Sequence, residues 1–234
     1  MDGQHSPALR APRGLVRTTA LLCGLIAASG AMVVVTAAPA PDDDLPFRIV
    51  SDAAAGAGPS ETGRPPLGFV RVDAAGEGFS ISVPAPWELD DAGFYGVVAD
   101  SVAGRAQIVL VASDPATAGA THASLARLPD VTSLEAAGFA QSVRAALEAN
   151  GAVGVTVENV VLPAGAAVRA HSSLPIAPPA PESLDCTQYY ISTPGGVWML
   201  SLFSDAPSTD AAELDQIAAS LVFSSSAAHP GSVD

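Results

Sequence analysis

Lysine is absent from this chain of 234 residues: all ten basic side chains are arginine. That absence removes three chemistries that need a primary amine on a flexible stem, namely Schiff-base catalysis, the phosphate-binding P-loop and the Ser-x-x-Lys nucleophile pair. Cysteine is scarce, with only Cys23 and Cys186. His122, His171 and His229 stand far apart, and none has a second His or Cys at zinc-ligand spacing, so no zinc centre is written locally. No Gly-x-Ser-x-Gly elbow occurs either. Aromatic residues make up 5% of the chain against a hydrophobic share of 49%, so small side chains, chiefly Ala and Val, must fill much of the interior.

What is abundant is negative charge. The formal net charge is -14, and three of the ten Arg (Arg10, Arg13 and Arg17) lie in the first seventeen residues together with Asp2. Seven Arg against 23 acids remain, so the rest of the chain carries about -16. A surface of that sign repels phosphate backbones and excludes nucleic acid as a partner.

Residues 18–38, TTALLCGLIAASGAMVVVTAA, contain no charged side chain. A helix of that length spans about 31 Å, close to the hydrocarbon thickness of a bilayer. Basic residues 1–17 precede it and Asp42, Asp43 and Asp44 follow, which places the N-terminus in the cytoplasm and the bulk of the chain outside. An uncleaved single-pass anchor is the preferred reading. A cleaved signal peptide, using Val35-Thr36-Ala37, is the alternative, with secretion as its result. Lipid attachment at Cys23 fits poorly, because Leu22 stands where a small residue is needed. The aspartates read as a solvated spacer that avoids an anionic membrane surface, in preference to a Ca²⁺ site, since they lack alternating ligands around a turn.

Residues 39–67 are rich in Pro, Gly, Ala and acids and read as a disordered tether, in which FRIV at 47–50 offers a short docking strand. The exported domain is expected over 68–223, followed by a polar tail at 224–234. Strands are expected at 79–84, 93–100, 106–113, 155–163, 166–174, in TQYYIS, and in VWMLSLFS after the Thr193-Pro-Gly-Gly196 turn. IVLVA within 106–113 is apolar on both faces and predicts a strand covered on both sides. One helix is expected over 132–151, opened by a Thr132-x-x-Glu135 capping box and closed by Asn150-Gly151, with Leu134, Phe139, Val143 and Leu147 on one face. A second begins at Asp210-x-x-Glu213 and carries Leu214, Ile217 and Leu221. The fold class is therefore α+β: an antiparallel sheet flanked by two main helices.

GFSISVPAPWELDD at 78–91, the order of strands and helices, the Thr-Pro-Gly-Gly hairpin and the closing LDQIAASLVF resemble the LpqN/LpqT-type lipoproteins of bacterial cell envelopes, and through them the PsbP-like fold. The resemblance covers about residues 68–223. It implies a non-enzymatic accessory protein of the envelope, with no catalytic or cofactor-binding residues to carry over. Two features depart from it: Pro86 precedes Trp87 where the family has Gly, and the lipobox is missing.

Partner-binding candidates are Trp87, as an exposed lip or as a plug over the end of a sheet, and Pro178, Pro179 and Pro181 in the Pro-rich stretch 175–185, whose preset extended shape suits recognition. No catalytic, metal or cofactor residue is assigned. The competing expectation is a small exported hydrolase using His171 or His122 with a serine nucleophile. Cys186 reads as a small buried hydrophobe beside Tyr189 and Tyr190, or as an intermolecular bridge. Sequencing the N-terminus of the natural product tests the anchor: the expected outcome is a start upstream of residue 18, and a new terminus near Ala38 means that the helix is discarded.

Overall fold

The computed structural model describes residues 48–50, 65–90, 98–117, 119–135, 138–175, 183–205 and 207–224. The N-terminal segment 1–47, the prolines at 178, 179 and 181 and the tail beyond 224 lie outside them. Among the described residues no helix is long and apolar enough to cross a membrane.

Two antiparallel sheets form the domain. The smaller has the order β1-β2-β3-β12, from β1 (Arg48–Val50), β2 (Phe69–Ala74), β3 (Phe79–Pro84) and β12 (Val222–Phe223). Strand β1 pairs with β2 through Arg48↔Asp73, so Arg48–Val50 of the FRIV stretch belong to the sheet, upstream of the expected domain start at 68. The larger sheet has the order β4-β6-β7-β11-β10-β9-β8. Its strands are β4 (Glu88–Leu89), β6 (Gly104–Ser113), β7 (His122–Leu128), β8 (Val153–Leu162), β9 (Gly165–Pro175), β10 (Ser183–Thr193) and β11 (Gly196–Ser204), with β5 (Val98–Ser101) paired to β6 beside β4. Helix α1 (Phe139–Ala149) and helix α2 (Pro207–Ser220) complete it.

Alternation along the strands of the larger sheet builds two cores, one on each face. Trp198, Leu200 and Leu202 of β11, Tyr189 and Ile191 of β10, and Ala123 and Leu125 of β7 join Ile81 and Val83 of β3 and Ile217 of α2. On the other face, Val197 and Met199, Tyr190, and Ala126 and Leu128 join Val143 and Leu147 of α1. The smaller sheet with α2 therefore covers one face and α1 the other. IVLVA is buried on both sides as its composition requires: Ile108 and Val111 belong to the α1 core, whereas Val109, Leu110 and Ala112 belong to the other. A register shift between Ile108 and Leu110 puts two successive residues on the same face.

Both helix starts differ from expectation. Residues 132–135 are not helical; the Glu135 N–H takes the Ser133 hydroxyl at 3.0 Å, so the capping box does not form. Gly138, at φ 97°, holds a left-handed conformation that no right-handed helix continues through, and α1 starts after it. Its other end is as expected, with Gly151 at φ 85° and the Ala152 N–H bonded to the Leu147 carbonyl at 3.0 Å. Helix α2 begins at Pro207, which leaves Asp210 inside it, and it ends at Ser220, so that Val222 and Phe223 are strand. Ile217 and Leu221 are fully buried, as the stripe predicts. Strand β7 is not among the strands expected from the sequence.

The end of α2 is joined to β3 by a side chain. Strand β12 pairs through Val222↔Ser80 and Phe223↔Phe79, and the next partner of Ser82 in that register is Ser220, already in the helix. The Ser220 hydroxyl takes over the ladder: it accepts the Ser82 N–H at 2.7 Å and lies 3.2 Å from the Ser82 carbonyl and 2.8 Å from that of Ile217. Because Ser82 is buried, Ser220→Ala leaves an unmet amide and is expected to cost about 1–2 kcal/mol, read as a lower urea midpoint at unchanged slope. An unchanged midpoint contradicts this account.

Candidate functional site

A cavity of about 250 Å³ opens where α2 lies over the β8–β11 end of the larger sheet. Tyr189, Leu202 and Ser204 are its buried floor, and Thr156, Ala211 and Asp215 are exposed at its rim. Between them stand Arg169, His171, Asp185, Thr187 and Leu214. Two tight turns align much of this set. The hairpin at 163–164 brings Thr156 opposite His171 and Glu158 opposite Arg169, and the turn after Thr193 brings Thr187 opposite Leu202 and Asp185 opposite Ser204. Pairing of β9 with β10 then sets His171 against Thr187 and Arg169 against Tyr189. Residues two apart on one strand share a face, so these polar groups gather on the same side as the Trp198 core.

The contacts are specific. His171 Nδ1 lies 3.1 Å from Thr187 Oγ1, and its Nε2 lies 3.6 Å from Asp185 Oδ2, beyond hydrogen-bond range. The Arg169 guanidinium is held by Glu158, with Nε to Oε1 at 2.9 Å and a second, shorter contact from its terminal nitrogen. That hydrogen bond raises the Arg169 pKa further, against the effect of burial. Burial raises the Tyr189 phenol pKa, and a hydrogen bond from Arg169 offsets part of the rise.

An imidazole between a carboxylate and a hydroxyl has the composition of a proton-transfer set. Among the described residues, the groups nearest to it that could stabilise an oxyanion are already engaged. Strand β10 is paired on both sides, by β9 and β11, so the amides around Thr187 are committed to the ladder. Arg169, the nearby cation, is engaged by Glu158.

The other candidates are placed elsewhere. Trp87 is 7% exposed and sits in the core beneath the point where the chain leaves β3 and pairs as β4 with Ser113 and Ala112 of β6. It is a plug, not an exposed lip, because burying the indole between the two sheets is worth more than displaying it. Pro178, Pro179 and Pro181 lie outside the described residues. Cys186 is buried, as expected of a small hydrophobe beside Tyr189 and Tyr190, and burial pushes its thiol pKa up; the alternative, an intermolecular bridge, does not suit a buried thiol.

His122 does not line the cavity. It is 2% exposed, stacked on Phe203 with ring centroids 4.4 Å apart, and its Nδ1 lies 3.0 Å from the Gly119 carbonyl. Burial lowers its pKa to about 4, so it is neutral in the folded protein. The signal that locates the cluster is the polar alternation Arg169, His171 and Asp185, Thr187 at positions two apart on β9 and β10, of which the sequence expectation includes His171 alone.

The folded pKa of His122 lies below that of the unfolded chain, so the unfolded state binds the extra proton between about pH 6.5 and 4 and stability falls as pH drops through that window. The loss from pH 7 to 4.5 attributable to this ring is roughly 2–3 kcal/mol. Urea titrations at the two pH values are expected to show a smaller difference for His122→Gln than for the natural chain; an equal difference rejects the assignment.

No protein-family model matches the chain, and no curated protein matches it. Among solved structures it is similar to the cyanobacterial PsbP (CyanoP) of Synechocystis sp. PCC 6803, known from a solution structure, with 12% identity, a TM-score of 0.44, and coverage of 72% of this chain and 98% of that one. Agreement at that level carries no function from one protein to the other.

Proposed function

We propose that the chain is a non-enzymatic cell-envelope protein, held at the membrane by residues 18–38, whose exported PsbP-like domain binds a protein or lipid partner in an accessory role. One observation carries the reading: Arg169, His171, Asp185 and Thr187 of the cavity stand on β9 and β10, strands paired on both sides whose amides are committed to the sheet, an arrangement suited to holding a ligand and unsuited to stabilising a developing oxyanion. The uncharged N-terminal segment and the acidic remainder support export and a partner other than nucleic acid.

A second reading, a small exported hydrolase, is favoured by the alignment of Asp185, His171 and Thr187, with Ser204 in the same cavity as the serine. The two separate in one experiment. A photo-cross-linking residue at position 171 in intact envelopes is expected to capture discrete neighbours that the same residue at Leu67, fully exposed, does not. Identical capture from both positions, or none, rejects the binding role. Activated esters offered to the purified full chain are expected to show no turnover that His171→Ala removes; a His171-dependent turnover moves the assignment to the hydrolase.

A further inference from the structure

We infer that the cavity under α2 binds a small ligand carrying a primary ammonium group on a hydroxylated carbon frame, as in an amino sugar or an amino alcohol. The inference deepens the binding role proposed above and rests on it. Some of the charges in the cavity are already matched. The Arg169 guanidinium is matched by Glu158. The imidazole of His171 meets Thr187 through Nδ1. Two carboxylates remain: Asp185 faces the imidazole at 3.6 Å, and Asp215, exposed on α2, acts through its charge on the Tyr189 phenol. Both line the same cavity. With Arg169 matched by Glu158, these carboxylates make the mouth of the cavity electronegative, which favours a cation over an anion.

Shape and lining narrow the class further. A volume of about 250 Å³ corresponds to about eight water-sized groups, which fits a single sugar ring or a short amino alcohol and not an acyl chain. Thr156 and Thr187 supply hydroxyls for polar substituents, and Leu202 with Leu214 supplies an apolar backing for carbon atoms. The buried floor and exposed rim leave entry possible without opening the fold.

The test uses the full chain in detergent, titrated calorimetrically with glucosamine, N-acetylglucosamine and ethanolamine. Glucosamine is expected to bind saturably, and N-acetylation, which removes the charge while keeping the ring, to weaken binding about ten-fold or more. Asp185→Asn and Asp215→Asn are each expected to weaken glucosamine by a similar factor. Asp215 is exposed on α2, so its variant is expected to keep the natural thermal midpoint, which separates a lost ligand contact from a lost fold. Tighter binding of glucosamine than of ethanolamine assigns the amino-sugar head group of a glycolipid; the reverse assigns the amino-alcohol head group of a phospholipid. No saturable binding of either amine, equal binding of the acetylated sugar, or unchanged binding by both variants overturns the inference. If that happens while position 171 still captures discrete neighbours, the ligand chemistry falls and the binding role stands.

Discussion

Strand β11 is buried along almost its whole length, and a strand with apolar groups on both sides forces the sheet around it to have two covers. Trp198, Leu200 and Leu202 demand one, and Val197 and Met199 demand the other. A single helix satisfies the second. The first is wider, because Phe79 and Phe223 meet the Trp198 ring at 5.7 and 5.0 Å, and it takes a separate sheet together with α2. The Arg127 guanidinium, 4.9 Å above the same indole and ion-paired with Glu77, finishes that edge of the core.

The cavity follows from where the wider cover stops. Along β10 the residues on that face change from Ile191 and Tyr189, which are buried, to Thr187 and Asp185, which are partly exposed. On β9 the same face runs from Ala167 through Arg169 and His171. Side-chain polarity rises as the covering layer thins, because a polar group near the margin keeps water or finds a neighbour without the full cost of burial. The site is the margin of a core, and its chemistry is the composition of that margin.

Much of the domain was legible in the sequence for the same reason. IVLVA, VWMLSLFS and the alternating Phe79-Ile81-Val83 are each explained by burial, and burial is what hydrophobic periodicity records. The failures have equally physical causes. HASLARL in β7 mixes Ala, Ser and Arg at a central position, so its place depends on β6 and β11 and not on its own propensity. Thr132 and Glu135 have the spacing of a cap, but the conformation of Gly138 decides where α1 begins. The pairings across β8–β9 and β10–β11 follow from two short turns visible in the sequence; the β9–β10 register, which brings His171 to Thr187, is joined by the Pro-rich stretch and is fixed only by the packed sheet.

Both tryptophans of the chain, Trp87 and Trp198, lie in the core between the two sheets, and the core under α1 has none. Indole emission therefore reports one side of the molecule alone. Loosening of α1 would pass unseen in that signal, whereas any parting of the smaller sheet from the larger would let solvent reach both rings and shift their colour.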